Sequence, residues 1–471
     1  MQLARLLDES SDLTLSLAGS DPAGVEVTSV AFDSRAVSPG ALFACVSGLI
    51  ADGHDFAAAA VERGAVALVV ERVLPLDVPQ VVVDDVRIAM AQLAATLEGH
   101  PSDDLIVVGV TGTNGKTTTV HFLESIFRAH GWATGVIGTL TGARTTPEAP
   151  DLQRTLATWR DERRDAVAME VSSHALALHR VDGTRFTVAI FTNLSRDHLD
   201  FHGTLERYFE AKARLFTPAL SARAVVNADD PHGRLLLDAA EIPTVAYSLA
   251  DVSDLRLSAS ASRFTWRDEV ITVPIGGRHN VHNALGAATA ALEAGVPIPA
   301  VVAGIGNAGP VPGRFEPVDE GQPFSVIIDY AHTPDGLERV LEAAREVASG
   351  HRVVLVFGAG GDRDRTKRAG MGAAAAAGAD VAVVTSDNPR GEEPAAIIAE
   401  IVKGAPPSRL VVEPDRRSAI AFALESADPG DVVVIAGKGH ETTQTTGTTI
   451  VPFDDRVVAR EELAHLAGGR R

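Results

Sequence analysis

The chain has 471 residues, 45% of them hydrophobic, and a formal net charge of −20, which argues against nucleic acid as its main partner but permits a small polyanion. Its single cysteine, Cys45, excludes a disulfide framework and fits a reducing cytoplasm, and no cysteine pair suggests zinc. We recognise no signal peptide and no apolar stretch near the ~20 residues of a membrane span, so we expect a cytoplasmic protein of about three domains, without membrane insertion.

Residues 1–98 alternate short apolar runs with helical stretches. The patterns predict strands over 25–30, 41–46 and 67–70, and a helix over 56–63. The triplet Asp33-Ser34-Arg35 follows the first strand, in a loop suited to holding a ligand or to forming an ordinary polar turn. Residues 99–102, Gly-His-Pro-Ser, predict a linker to the next domain.

The region 99–310 is organised around residues 112–119, Gly-Thr-Asn-Gly-Lys-Thr-Thr-Thr. The apolar run 105–110 before them predicts a buried parallel strand, and the spacing of 120–127 predicts a helix. In such a loop, backbone N–H groups and the helix N-terminus face phosphates, Lys116 neutralises them, and Thr117 can reach magnesium. The glycines are closer together than in the general phosphate-binding pattern, so this is a shortened variant; a tight turn with an incidental lysine is the alternative.

Like the phosphate loop, polar residues follow two further predicted strands, over 166–171 and 188–194, and residues 223–230 repeat the arrangement. Ligands of open α/β sheets bind beyond the carboxyl ends of the strands, so these clusters point to one nucleotide and metal site. Glu170 and His198 are candidate magnesium ligands beside Thr117. A histidine ligand is unusual for magnesium, and a capping or core histidine is the alternative.

Two helical segments carry polar residues with less specific patterns. Lys212 lies in the predicted helix 208–216, where a lone lysine is typical of a solvated face or of an ion pair with Glu210. Asn280 and Asn283 share one helical face and could contact an adenine edge; an N-cap with a polar surface residue is the alternative.

Residues 310–313, Pro-Val-Pro-Gly, predict a second boundary, followed by a second doubly wound α/β domain. Its predicted strands are 325–328, 353–357, 381–384 and 432–435. Arg314 at the junction could reach nucleotide phosphates when the domains close. Arg363 and Arg390 suit carboxylates and Glu441 suits an ammonium group, which together describe a pocket for an amino acid with several charges.

The chain resembles the Mur ligases, and more narrowly their MurE type. The residues that carry this resemblance in combination are 112–119, 170–174, 192–200, 208–216, 329–335 and 387–390. The resemblance runs nearly end to end and implies a three-domain α/β fold. It implies a small UDP-MurNAc-binding domain over 1–98, a P-loop-type ATPase domain with a mainly parallel sheet over 99–310, and a Rossmann-like amino-acid-binding domain over 311–471.

The resemblance also implies the reaction, an ATP-dependent, ADP-forming ligation in peptidoglycan precursor synthesis. The γ-carboxylate of D-Glu in UDP-MurNAc-L-Ala-D-Glu is phosphorylated to an acyl phosphate, which the amine of an incoming amino acid attacks. ATP and Mg²⁺ are required, and we expect a cytoplasmic monomer.

The resemblance implies roles for individual residues at the positions that match the family. Those implied to bind ATP are Gly112, Thr113, Asn114, Gly115, Lys116, Thr117, Thr118, Asn280, Arg314, Asp329 and His332. Those implied to bind the UDP-MurNAc-dipeptide are Phe32, Ser34, Thr145, Thr146, Ser172 and Arg180. Those implied to bind the amino acid are Arg363, Asp387, Asn388, Pro389, Arg390, Gly437 and Glu441.

The implied catalytic residues are Lys116, Glu170, His198 and Lys212, and the implied magnesium ligands are Thr117, Glu170, His198 and Lys212. Lys212 matches a family lysine that is carbamylated to N6-carboxylysine, which turns a cation into an anion able to hold a second magnesium. The resemblance therefore reverses the solvated-face interpretation of this lysine.

Residues 387–390, Asp-Asn-Pro-Arg, resemble the family signature for meso-diaminopimelate, with Arg390 on its distal carboxylate. L-lysine lacks that carboxylate and would leave a buried Arg390 unpaired, so we predict diaminopimelate. One position departs from the family, because Leu178 stands where many relatives have a glutamine that contacts the muropeptide.

Two other functions are compatible with part of this pattern. Folylpolyglutamate synthetase and cyanophycin synthetase share the phosphate loop, but the triplet at 33–35 and residues 387–390 argue against them. A non-catalytic nucleotide-binding or scaffolding protein is the second alternative, and the presence of Lys116, Glu170, His198 and Lys212 argues against it.

Overall fold

The computed structural model describes residues 1–10, 13–48 and 51–469. Its first sheet consists of β1 (Leu15–Ala18), β2 (Ser29–Ala31), β3 (Ala41–Ala44), β4 (Ala65–Val70) and β5 (Gln80–Val83), accompanied by helices α1 (Leu3–Glu9), α2 (Ala57–Glu62) and α3 (Val86–Leu97). The strand order is β1-β5-β4-β3-β2, and every pair is parallel except β1 with β5.

The strand predicted over 25–30 is wrong in its first four residues, since β2 begins at Ser29. The N–H of Val27 donates to the carbonyl of Met1, and the N–H of Thr28 donates to that of Gly40. These bonds tie the segment to the chain start and to a turn rather than to a strand ladder. The alternation still marks burial correctly, because Val27 and Val30 lie in the core.

The second sheet contains the phosphate loop. Its elements are β6 (Ile106–Thr111), α4 (Lys116–His130), β7 (Thr134–Ile137), α5 (Ala149–Asp161), β8 (Ala166–Glu170), α6 (Ser173–Ala177), β9 (Val188–Phe191), α7 (Leu199–His202), α8 (Leu205–Ala213), β10 (Ala224–Asn227), α9 (Pro231–Ala239) and β11 (Thr244–Tyr247). The order is β11-β10-β9-β6-β8-β7 and all pairs are parallel. Strands covered by helices on both faces need apolar residues throughout, which explains the apolar runs in the sequence.

An antiparallel sheet and two helices complete this part of the chain: β12 (Val252–Leu257), β13 (Ser262–Trp266), β14 (Glu269–Val273), α10 (Arg278–Glu293) and α11 (Ile298–Asn307). Helices α10 and α11 pack on α4. Gly304 of α11 permits the close approach, because a Cβ atom there would lie 2.3 Å from the Cα of Ile126 in α4. The helix that starts at the phosphate loop is thereby held rigidly.

The remaining elements are β15 (Glu316–Val318), β16 (Ser325–Asp329), α12 (Pro334–Ala348), β17 (Val353–Phe357), α13 (Lys367–Gly378), β18 (Val381–Val384), α14 (Pro394–Val402), β19 (Val411–Val412), α15 (Arg416–Glu425), β20 (Val432–Ala436), β21 (Thr443–Thr446), β22 (Thr449–Pro452) and α16 (Asp455–Gly469). Six strands form a sheet in the order β15-β16-β20-β17-β18-β19, parallel except for β15. Strands β21 and β22 form a separate hairpin.

One apolar core extends across the last two large sheets. It includes Val110 and Ile126 from the phosphate-loop side, and Phe315, Ile327 and Leu355 from the C-terminal side. The carboxyl ends of β8 and β16 consequently border the same cavity. The predicted three-part α/β fold is confirmed. Among the described residues, no helix combines the length and the apolar character that crossing a bilayer requires.

Candidate active site

The loop between β6 and α4 depends on glycine at two positions. Gly112 has a φ of 150°, and a Cβ atom there would lie 1.9 Å from Thr192 Oγ1. Gly115 has a φ of 89°, and a Cβ atom there would lie 2.3 Å from Asn283 Oδ1. Side chains at either position would be strained and would also collide with buried neighbours.

Lys116 begins α4 and folds back over this loop. Its Nζ donates to the carbonyl oxygens of Gly112 and Thr113, both at 2.9 Å. Burial lowers the pKa of this ammonium group, while Glu170 and Asp197 act to raise it. A phosphate would be a stronger acceptor than either carbonyl, so the ammonium is placed for an anion.

Glu170 ends β8 and is buried beside the loop. Its Oε1 accepts from Thr117 Oγ1 at 3.0 Å and from the N–H of Thr139 at 2.8 Å. Mg²⁺ prefers oxygen ligands such as carboxylate and hydroxyl groups, and water and phosphate oxygens usually complete its coordination shell. This oxygen pair fits the predicted magnesium ion.

His198 precedes α7 with a φ of 54°, and its ring lies 4.8 Å from that of His174 between centroids. Burial lowers the pKa of His198 to about 4, so the imidazole is neutral at pH 7 and has a lone pair for a metal. No cluster of three or more His, Cys, Asp and Glu side chains suited to a metal occurs in the described ranges. A metal here would need other oxygen ligands as well.

Lys212 is 1% exposed, so the interpretation as a solvated face is wrong for this residue. Its Nζ donates to the carbonyl of Gly112 at 2.8 Å and lies 4.6 Å from the centre of the Tyr208 ring. Within the described part of the chain it forms no ion pair, with Glu210 or with any other carboxylate. Burial lowers the pKa of Lys212 well below its ordinary value, and the positive charge of Lys116 lowers it further.

Asn280 and Asn283 are both buried near the start of α10, which excludes the surface alternative. Asn283 Nδ2 donates to Asn280 Oδ1 at 3.1 Å, and Asn280 Nδ2 donates to the carbonyl of Gly276 at 2.7 Å. The pair connects this helix to the phosphate loop, because Asn283 also packs against Gly115.

Residues after the second predicted boundary reach the loop from the opposite side. The guanidinium of Arg314 stacks on Tyr330 at 4.4 Å from the ring centre, and its Nη2 lies 3.3 Å from Thr117 Oγ1. Asp329 accepts from the N–H groups of Phe315 and Ala331, each at 2.8 Å, and burial raises its pKa. His332 is half-buried, and its partial removal from water lowers its pKa to about 4.

These two sides enclose a cavity of about 440 Å³. Every residue that the resemblance assigns to ATP lines it, except Gly112. All four predicted magnesium ligands line it too. The structure therefore brings the predicted nucleotide and metal residues together in one place.

The residues predicted for the muropeptide fall into two groups. Thr146 Oγ1 donates to the carbonyl of Glu170 at 2.9 Å and accepts from the N–H of Ser172 at 3.1 Å, and Arg180 Nη1 donates to the carbonyl of Thr146 at 3.3 Å. Thr145 belongs to this group and borders the cavity with Ser172. Phe32 and Ser34 lie beyond β2 of the first sheet, outside the lining of the cavity.

The residues predicted for the amino acid lie in the segments that follow β17, β18 and β20. Asn388 Nδ2 donates to Glu441 Oε2 at 2.6 Å, and a Cβ atom on Gly437 would lie 2.7 Å from Asp387 Oδ2. Arg390 has a φ of 51° and its Nη1 donates to the carbonyl of Gly361 at 2.8 Å. Arg390 is half-buried and Arg363 is exposed, so the expectation of a buried Arg390 is wrong.

Two residues without a predicted role belong to these sites. Asp335 Oδ2 accepts from Asn114 Nδ2 at 3.1 Å and from Ser195 Oγ at 2.7 Å, which links α12 to the phosphate loop. Lys438 is fully buried beside Asn388. A lysine between two glycines, directly after a buried strand, was the sequence signal that could have identified it.

Three family models match the chain: "Mur ligase family, catalytic domain" at residues 26–97, "Mur ligase middle domain" at 110–291, and "Mur ligase, glutamate ligase domain" at 313–439. A UDP-N-acetylmuramoyl-L-alanyl-D-glutamate--2,6-diaminopimelate ligase of Geobacillus thermodenitrificans is 46% identical over 92% of this chain and 94% of the relative. The chain belongs to the Mur ligase family. The predicted family is thereby confirmed.

Other Mur ligases match this chain over similar lengths. The relative of the same name from Streptomyces coelicolor is 44% identical over 99% of this chain and 97% of its own. A solved structure of a ligase of that name is 35% identical, with a TM-score of 0.67 over 94% of this chain and 95% of the other. MurF from Acinetobacter baumannii, 22% identical with a TM-score of 0.65 over 98% of each chain, shares the fold.

Proposed function

We propose that this Mur ligase uses ATP to join meso-diaminopimelate to the D-Glu γ-carboxylate of UDP-MurNAc-L-Ala-D-Glu. The observation that carries the proposal is the match to diaminopimelate ligases over nearly the whole of both chains, at 46% identity. The cavity supports it, since phosphate-binding, metal-binding and C-terminal residues meet there.

In the first step the substrate carboxylate attacks the γ-phosphate of ATP, so that a C–O–P bond forms and ADP leaves. The loop N–H groups and the N-terminus of α4 bind the phosphates, and the Lys116 ammonium turns from the loop carbonyls to them. Arg314, 3.3 Å from Thr117 Oγ1, adds positive charge from the C-terminal side. These fixed cations reduce the repulsion between carboxylate and phosphate and stabilise the transition state.

Thr117, Glu170, His198 and modified Lys212 are the proposed magnesium ligands. Bound magnesium supplies positive charge that stabilises the transferring phosphoryl group. Lys212 suits carbamylation because its lowered pKa increases the fraction of neutral amine, the form that adds to carbon dioxide with release of a proton. The product would be an anion close to the Lys116 ammonium, whose charge already acts on Lys212. Among the described residues, no carboxylate is hydrogen-bonded to Lys212, whose Nζ donates to the carbonyl of Gly112.

In the second step the amine of diaminopimelate attacks the acyl carbon; a C–N bond forms, the C–O bond to phosphate breaks, and the amine loses a proton. We assign the distal end of this amino acid to Arg363, Asn388, Arg390 and Glu441. Donors on Asn388 and Arg390 suit a carboxylate, and Glu441 suits an ammonium. L-lysine, the alternative substrate, offers only the ammonium.

The test is ADP release by the purified protein with UDP-MurNAc-L-Ala-D-Glu, assayed with meso-diaminopimelate, with L-lysine, and with neither. We expect ADP release that depends on the amino acid and is faster with diaminopimelate, with one tripeptide product per ADP. Faster ligation of L-lysine would mean that L-lysine is the substrate instead of diaminopimelate. ADP release that no amino acid stimulates would refute the proposed ligase activity. Dihydrofolate with glutamate tests the folylpolyglutamate alternative in the same assay.

We also propose the domain limits 1–98, 99–310 and 311–471, and a cytoplasmic monomer. Each large sheet falls within one of these ranges, which supports the limits. Limited proteolysis would test them, with cleavage expected first near 99–104 and 309–313.

A further inference from the structure

The side-chain amide of Asn388 has a fixed orientation. Its Oδ1 accepts from the N–H of Thr445 at 2.9 Å and from Lys438 Nζ at 3.4 Å, which uses both lone pairs of the oxygen. Its Nδ2 donates to Glu441 Oε2 at 2.6 Å. Turning the amide over would place N–H donors against Lys438 and Thr445 and an oxygen against the carboxylate. The surroundings therefore permit one orientation.

Lys438 is itself held firmly. It is 0% exposed, and its Nζ donates to the carbonyl of Thr443 at 2.6 Å and lies 3.7 Å from Glu441 Oε2. A buried ammonium needs such partners, because an unsatisfied charge in the interior is costly. The side chain thus connects β20, the hairpin of β21 and β22, and residue 388.

This arrangement limits what Asn388 can offer to a ligand. With Oδ1 occupied twice, the group left over is the second hydrogen of Nδ2, which has no acceptor among the described residues. The matching ligand has an oxygen acceptor close to a cationic group that Glu441 can bind. The carboxylate and ammonium of an α-amino acid centre meet this requirement.

We propose that Lys438 is a positioning residue that sets amino-acid specificity, by holding Asn388 as a hydrogen-bond donor. The proposal rests on the proposed function, in that the incoming amino acid binds at residues 387–390. An amino acid whose distal end is an amine alone presents donors to this donor, so it is disfavoured. Asn388 touches the substrate, and Lys438 acts through it.

The experiment is a double-mutant cycle with Lys438→Met and Asn388→Leu, in which KM is measured for diaminopimelate and for ATP and the preference over L-lysine is determined. We expect Lys438→Met to raise KM for diaminopimelate and to reduce the preference, each about tenfold or more, with KM for ATP within about twofold. In the Asn388→Leu background the same substitution should have little further effect on either quantity.

Asp431→Asn is the matched control. Asp431 directly precedes β20, at the opposite end of the strand from Lys438, and is buried in an ion pair with Arg352 at 2.7 Å. Its substitution should lower the melting temperature and leave KM for diaminopimelate and the preference unchanged. If Lys438→Met does not fold, Lys438→Gln takes its place in the cycle.

Three outcomes would overturn the proposal: an unchanged KM for diaminopimelate, an unchanged preference, or an equal effect of the Lys438 substitution with and without Asn388. The last result would mean that Lys438 acts by its charge on Glu441 instead. A wild-type protein that ligates no amino acid would refute the proposed function first, so the two failures are distinguishable.

Discussion

At the scale of single residues, Lys212 gives the sharpest prediction. Its buried amine, which is hydrogen-bonded to the Gly112 carbonyl, should react with carbon dioxide because burial lowers the pKa of Lys212. Intact mass at neutral pH should show one added carbon dioxide, lost on acidification because protonation of the nitrogen releases it. Lys212→Ala should lose ligase activity by about 100-fold or more, and acetate or formate should restore part of it.

Lys403 provides the control for this experiment. It is an exposed lysine after α14, so Lys403→Ala should keep both the added mass and the activity. An inactive Lys212→Ala variant that no short carboxylate rescues, together with an unmodified wild-type mass, would argue against the carbamate.

The burial of Lys212 was predictable from the spacing of its neighbours in the sequence, although not from the lysine considered alone. Tyr208, Ala211, Lys212 and Leu215 have the spacing of one helical face, and all four are buried. A lysine within an apolar stripe therefore indicates a buried amine. The contact with Gly112 was not predictable in this way, since it joins residues 100 positions apart.

At the scale of an element, the phosphate loop and α4 allow a comparison of two glycines. Gly115 and Gly131 begin and end this helix, with φ values of 89° and 93°. A Cβ atom at Gly131 meets nothing within 4 Å, whereas at Gly115 it meets Asn283, which is buried and bonded to Asn280. Both alanine variants strain the backbone, and only one also displaces a neighbour.

We therefore expect Gly131→Ala to cost about 1 kcal/mol of unfolding free energy, with KM for ATP unchanged. Gly115→Ala should cost more and should raise KM for ATP about tenfold or more, because the loop N–H groups shift away from the phosphates. Denaturant unfolding and steady-state kinetics measure the two effects. Equal kinetics for both variants would show that the loop tolerates the shift.

Elements with apolar runs were predictable, because strands such as β17 and β20 are buried on both faces. The hairpin of β21 and β22 was not, since β21 consists of Thr and Gln residues and every residue of β22 is exposed. It is held by partners distant in sequence: the N–H of Arg390 donates to the carbonyl of Thr445, and Gln444 Nε2 donates to the carbonyl of Asp387. Local patterns do not contain such contacts.

At the scale of the whole molecule, Asp335 connects the C-terminal sheet to the phosphate loop. Its Oδ2 accepts from Asn114 and Ser195 and also pairs with Arg339 at 3.0 Å. A closed arrangement keeps water from an acyl phosphate, which would otherwise hydrolyse. Contacts that hold the closed arrangement should therefore couple ATP consumption to ligation.

We expect Asp335→Ala to release more ADP than tripeptide product, because less frequent closure leaves the acyl phosphate open to water. Glu338→Ala on the same helix is the control: Glu338 is exposed, and its removal should keep one product per ADP. ADP and product are quantified in the same reaction, and small-angle scattering with ADP bound compares the dimensions of the variants. A stoichiometry of one in Asp335→Ala, at unchanged dimensions, would assign closure to other contacts such as that between Arg314 and Thr117.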